Sequence, residues 1–373
     1  MAAAYAIELR SHRVLFANIR NMNDSLAIQY PQLAARLPKI ILADLPTPLA
    51  EKSLLASTGR RRVAIKCDDV TGELYGGNKV RKLEYLLYRA RQRKAKRVAT
   101  FGTVASNHAL ATALYAKSLG FECTCFLSHQ TKTANAPRVL NMHLQNDTDI
   151  VRYGGSRPDR IRTLRDHLWH RHAWAIPAGG SSWLGALGFV NAGLELADQV
   201  AAGDIDAPDR VYVANGTMAT AVGLALGLAL GKLPTEVQAV QVTEDFVASP
   251  LRMHRLIAKT ATLMHTFDAS IPADLADQVR YSFRSEFLGG GYAKTNAATD
   301  RAVAIARDEL GLALETTYTG KAMAAMLHDL NQQQYARQSM LFWNTYNSRP
   351  LSAGYERPGD ASRLPAEFLR YFD

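Results

Sequence analysis

Short apolar runs alternate along this chain with longer segments whose apolar positions recur at helical spacing, the pattern of an α/β protein with a largely parallel sheet. Residues 97–102 read as a strand, 107–120 as the helix that follows, closed by Gly120, and 121–127 as the next strand. A second unit runs from a strand at 210–214 through a helix at 219–230 to a strand at 237–243. Repeated β-α-β units bind ligands at the carboxyl ends of their strands, so the loops 103–108 and 215–220 are where chemistry is expected first. Within the second helix Gly223, Gly227 and Gly231 recur every four residues, a close-packing stripe. The stretch 179–188 reads as a loop and domain boundary before a helix at 189–202, and the first forty residues read as an appended arm.

Composition narrows the class. With 373 residues, 47% of them apolar, the chain can bury the cores of two domains. Its three cysteines, Cys67, Cys123 and Cys125, are too few for a disulfide framework, and the last two share one face of a strand as core residues; a reducing cytoplasm fits. A net charge of +10 favours anionic partners without choosing among them. The basic run Arg89, Arg91, Arg93, Lys94, Lys96, Arg97 has no interleaved stacking aromatics and reads as a solvated helix end, so no nucleic-acid partner is expected. The uncharged stretch 211–231 contains Asn215, Gly216 and Thr217, which leaves too short an apolar run to span a membrane. Arg10, Arg13 and Arg20 give the first twenty residues a faint transit-peptide character, against which Glu8 and the lack of an apolar signal core both argue. His167, His170 and His172 lie beside Arg165 and Arg171 with no nearby cysteine, so no metal site is expected there.

Three loops could carry chemistry. Gly76 and Gly77 precede Asn78 and Lys79 at the start of a helix, where glycines would let the backbone approach a bulky ligand, and where burial and the nearby Arg81 and Lys82 would depress a nucleophilic lysine. Residues 211–220 run from a strand through a small polar turn into a helix, an arrangement that offers backbone N–H groups to a phosphate. Neither the P-loop pattern nor G-x-G-x-x-G is present there. Ser106, Asn107 and His108 offer donors suited to a carboxylate. Each has a plainer rival: an exposed lysine after a turn, a helix capped by Asn215 or Thr217, and an ordinary helix start.

Taken together, Gly76-Gly77-Asn78-Lys79-Val80-Arg81-Lys82-Leu83-Glu84, Ser106-Asn107-His108 and Tyr318-Thr319-Gly320-Lys321-Ala322-Met323 resemble the pyridoxal-phosphate family that contains D-cysteine desulfhydrase and 1-aminocyclopropane-1-carboxylate deaminase, relatives of the tryptophan synthase β chain. The resemblance runs from about Leu45 to about Thr345. It implies a two-domain, fold-type II architecture with parallel-rich sheets wrapped by helices: an arm at 1–40, a large cofactor-binding domain from 41–81 and 191–373, and a small domain at 82–190. It also implies that Lys79 carries pyridoxal 5'-phosphate and that Asn107 bonds its phenolic oxygen. Gly216, Thr217, Met218, Ala219 and Thr220 would hold its phosphate, and Thr319 would face the pyridine nitrogen. Ser106, Asn107, His108, Tyr318 and Thr345 would face a small amino-acid substrate, with Lys79, Ser106 and Tyr318 catalytic and the enzyme a homodimer.

Threonine at both 319 and 345, where the deaminase has glutamate and leucine, favours β-elimination from D-cysteine over ring opening. Serine dehydration, racemisation, β-replacement and a non-catalytic binding role on the same fold are the alternatives. Two departures stand out. Tyr346 and Asn347 occupy positions where the family has a glycine pair and would narrow or redirect the pocket, and Met218 and Ala219 replace common glycines, restricting positive φ.

Overall fold

The computed structural model describes residues 23–56, 59–350 and 359–372; the segment read above for targeting lies outside the described residues. Two sheets organise the chain. β1 (Leu49–Ala56) and β2 (Gly59–Lys66) are an antiparallel pair. Next come β3 (Arg97–Thr103), β4 (Glu122–Ser128), β5 (Asp149–Arg152) and β6 (Trp174–Ile176), a four-stranded parallel sheet in the order β5-β4-β3-β6. The chain then supplies β7 (Arg210–Asn215), β8 (Glu236–Gln241), β9 (Tyr281–Arg284) and β10 (Met340–Trp343) to a second sheet, ordered β1-β2-β10-β7-β8-β9 and parallel from β2 onward.

Five helices position the site: α1 (Lys79–Gln92), α2 (Asn107–Ser118), α3 (Trp183–Ala201), α4 (Ala219–Leu230) and α5 (Thr319–Leu330). Covered on both faces, the central strands are apolar without alternation, as in the buried run Val211-Tyr212-Val213-Ala214 of β7. α3 and α4 pack on one face of the six-stranded sheet with the helix Pro250–Phe267, while α5 and Ala297–Leu310 cover the other. α1 and α2 share a core with the four-stranded sheet, and the C-terminal residues Leu364, Phe368 and Tyr371 join it. Cys123 and Cys125 are buried there as free thiols.

β3, α2, β4, β7, α4 and β8 fall within two residues of the elements expected from the sequence. α3 does not: it starts at Trp183, because Ser182 caps it by accepting the Gly185 N–H, and so Gly185 and Gly188 lie inside a helix rather than in a loop. The glycine stripe on α4 packs as read, since a Cβ on Gly223 or Gly227 would lie 2.3 Å from a carbonyl oxygen of α3. No helix among the described residues is long and apolar enough to cross a membrane.

Candidate active site

A cavity of about 770 Å³ opens beside the carboxyl ends of β3 and β7, and the starts of α1, α2, α4 and α5 converge on it. Every site residue that the resemblance implies lines it except Ala219, which is fully buried behind the loop with its N–H turned to Ser181 Oγ and Thr217 O.

Lys79 is the first residue of α1. Gly77, at φ +90°, turns the chain into that helix and brings it against the backbone of Thr345 and Tyr346; a Cβ there would lie 2.7 Å from the Thr345 oxygen. The closeness that the glycine pair provides is therefore to the chain itself rather than to a ligand. Asn78 sits at the N-cap position without capping, and its Nδ2 donates instead to Thr220 Oγ1 at 2.9 Å, tying the Lys79 turn to the start of α4. Burial holds the Lys79 amine down at about 8, against the opposing pull of Glu315. Arg81 has no part in this, since its guanidinium turns away to Asp68 and Glu195. Lys82 faces the cavity as a second cation, fully buried and pushed well below the usual lysine range by burial and by Lys79.

Across from α1, the N–H groups of Gly216, Thr217, Met218 and Thr220 find no protein acceptor among the described residues. Met218 occupies the left-handed region at φ +72°, a strain of about 1 kcal/mol or more for a residue with a side chain. The missing glycine has thus not prevented the turn. Ser181 braces it by donating to Thr217 O and accepting the Ala219 N–H. Free N–H groups at a helix start, with the Lys82 amine in the same cavity, are donors that could hold a phosphate.

The third wall comes from the four-stranded sheet. Ser106 caps α2 by accepting the Ala109 N–H, and Asn107 faces the cavity with its Oδ1 held by the Tyr75 hydroxyl at 3.0 Å. His108 is buried, its Nε2 accepting the Gly180 N–H at 3.1 Å and lying 2.9 Å from Thr100 Oγ1; burial, Lys79 and Lys82 keep it neutral. Thr345 accepts the Asn78 N–H through its carbonyl.

At the fourth wall Tyr318 precedes α5, and its hydroxyl lies 2.5 Å from that of Tyr292, which also reaches Thr103 at 3.1 Å. Burial raises both phenols, so both keep their protons at neutral pH. Thr319 is buried, with its Oγ1 3.2 Å from Glu315 Oε1. The Glu315 carboxylate also takes the N–H groups of Thr317, Tyr318 and Thr319, so it caps α5 from outside. Sequence reasoning missed Tyr292 and Glu315. The cue for Tyr292 is the Gly289-Gly290-Gly291 run that lets its loop turn into the cavity; for Glu315 it is an acid just before a helix start. Tyr346 does line the cavity, whereas Asn347 turns away from it and accepts the Gly76 N–H at 2.6 Å.

A buried amine held at about 8 and free N–H groups at a helix start, both lining one cavity, fit pyridoxal phosphate, and the comparisons agree. The family model for pyridoxal-phosphate dependent enzymes matches residues 40–345. The chain is 32% identical over 311 residues to a D-cysteine desulfhydrase of Salmonella choleraesuis, covering 80% of this chain and 90% of that one. Over 310 residues it is 30% identical to the D-cysteine desulfhydrase of Salmonella paratyphi A, at the same coverage. A solved structure described as an ACC deaminase homologue superposes with a TM-score of 0.70 at 26% identity, over 87% of this chain and 94% of that one. A fungal L-serine ammonia-lyase from Rhizomucor miehei, 15% identical with a TM-score of 0.56 over 89% and 99%, shares the fold.

Proposed function

This chain belongs to the pyridoxal-phosphate-dependent enzymes, in the group of the D-cysteine desulfhydrases and ACC deaminases, and we propose that it eliminates the β-substituent of D-cysteine or a close analogue. The observation that carries the reading is the Lys79 amine, depressed to about 8 at the wall of a cavity that free N–H groups at a helix start also line. The overall change is D-cysteine and water to pyruvate, hydrogen sulfide and ammonia.

Bound pyridoxal phosphate supplies an electron sink that lets a Cα–H bond of an attached amino acid break. The rest is done by side chains. Lys79 would carry the cofactor, and its free amine, which burial keeps below the ordinary lysine range, would take the Cα proton. Gly216, Thr217, Met218, Thr220 and Lys82 would hold the phosphate, with Ala219 behind them bracing the turn through its N–H to Ser181, and Asn107 would direct its amide N–H at the phenolic oxygen. Thr319, whose hydroxyl bonds Glu315, would face the pyridine nitrogen. Ser106, His108 and Thr345 orient the substrate carboxylate. The protonated Tyr318, backed by Tyr292, holds a proton beside the departing thiolate.

Ring opening of 1-aminocyclopropane-1-carboxylate is the second reading. It draws support from Glu315, whose carboxylate places negative charge 3.2 Å from the Thr319 hydroxyl. We further take the cavity to lie between a small domain, 82–190, and a large one from 41–81 and 191–373, in a cytoplasmic homodimer with 1–40 as an arm.

The test is an absorbance spectrum with added pyridoxal phosphate, followed by pyruvate and sulfide assays. Release of both products from D-cysteine supports the proposal. Turnover of the cyclopropane amino acid or of D-serine alone moves the activity to the second reading or to dehydration. A spectrum unchanged by the cofactor overturns all of them.

A further inference from the structure

Tyr75 is buried at 5% exposure, four residues before Lys79, and does not itself line the cavity. Its hydroxyl donates to Asn107 Oδ1 at 3.0 Å, and among the described residues it has no other acceptor. Its backbone is fixed as well: Tyr115 Oη on α2 donates to Tyr75 O at 2.8 Å and lies 3.4 Å from Tyr75 N. The turn that presents Lys79 is therefore attached at two points to the helix that presents Asn107.

An asparagine amide can face either way, with its oxygen or its NH2 toward a ligand, and its surroundings decide which. Here the phenol decides. With Oδ1 toward Tyr75, the Tyr75 O–H is satisfied and both Nδ2 hydrogens remain for the cavity. Reversing the amide would strand a buried O–H without an acceptor, a desolvation cost that the present arrangement avoids. Burial also raises the Tyr75 phenol, so it stays a donor across the working pH range.

We propose that Tyr75 is a positioning residue that locks the Asn107 amide with its donor end toward the cofactor, coupling the Lys79 turn to the site's oxygen-binding group. This rests on the reading that Asn107 bonds the cofactor's phenolic oxygen.

The experiment is a cycle of Tyr75→Phe, Asn107→Ala and the double variant, each titrated with pyridoxal phosphate by absorbance, with the pH dependence of the bound band recorded. Tyr75→Phe should weaken binding roughly 3- to 10-fold, the effect of losing one orienting hydrogen bond. It should shift the band's pH dependence in the same direction as Asn107→Ala, and in the double variant it should add nothing. Thermal unfolding of the apo forms reports any loss of fold, and Tyr75→Met, also without a hydroxyl, is run beside it so that the result does not hang on one replacement. If Asn107→Ala leaves binding and band unchanged, the underlying reading of Asn107 falls and takes the inference with it. If Asn107→Ala weakens binding while the Tyr75 variants bind as the parent does, or their losses add to it, Tyr75 does not position the amide and the reading of Asn107 stands.

Discussion

Within its first turn, α1 holds two kinds of cation. Arg81 points away from the cavity into a fully buried cluster with Lys66, Asp68 and Glu195, two cations against two carboxylates, joined by Thr47 and Gln199. Lys79 and Lys82 face the cavity, and neither has a carboxylate within salt-bridge distance among the described residues. The three residues are neighbours in sequence and differ in what surrounds the charge. Burial lowers even the paired Lys66, so what separates the two groups is the partner and not the shift: a buried charge held by carboxylates ties structure together, and one left without them at a cavity wall is available for chemistry.

The sharpest way to break this comparison is at Lys79. Lys79→Ala should abolish turnover, by roughly three orders of magnitude or more. It should also leave the apo protein no less stable, because it removes a charge that has no partner. Assay and denaturant unfolding on one preparation read both, and a stability loss comparable with the activity loss would place Lys79 with Arg81 instead. Arg81→Met is the converse. It leaves Asp68 without a cation and Glu195 with Lys66 alone, and should cost about 3–5 kcal/mol of folding stability, a large part of the total for an ordinary domain. Unfolding of Arg81→Met at the parent's midpoint would show the cluster to be dispensable. A smaller effect is expected at Lys82. Lys82→Met should weaken cofactor binding roughly 10- to 100-fold, the range for a charged hydrogen bond, while kcat at saturating cofactor stays near the parent's. A fall in kcat with binding intact would move Lys82 from the phosphate to the reaction.

This division was only partly legible in the sequence. Strand and helix periods located β3, α2, β7 and α4, and with them the loops at their ends, because a parallel core imposes apolar runs and glycine or polar punctuation. Lys79 and Asn107 stood in loops marked by local signals, a lysine after a glycine pair and polar residues at a helix start, whereas Tyr318 came only through the resemblance. What could not be read is direction. Arg81 and Lys82 look alike as cations beside Lys79, and only folding turns one to Glu195, 114 residues away, and leaves the other at the cavity. Tyr292 and Glu315 escaped for the same reason, since a loop tyrosine and a lone acid carry no period. The start of α3 was misread because glycines that signal a loop to a local reading are tolerated in a helix packed closely on its neighbours.

The smallest expected effect separates the two regions by pH. Burial alone would raise the Glu195 carboxyl, but Arg81 and Lys66 overrule it and hold it at about 2, below its ordinary 4.5. Its contribution to stability is complete above 4.5 and is lost as pH falls toward 2. Lys79 is the opposite case. Its amine is held at about 8 against an ordinary 10.5, so between those values the unfolded chain binds the proton that the folded one has released. Stability should therefore rise with pH over that interval. Because Lys79 is partly open to the cavity, the rise is on the order of 1 kcal/mol. Apo protein unfolded in denaturant from pH 2 to 10.5 should thus lose an acid step in Glu195→Gln and an alkaline step in Lys79→Met. Parallel curves for the parent and Lys79→Met above pH 8 would mean that the amine titrates as an ordinary lysine, and the chemical availability ascribed to it would need another source.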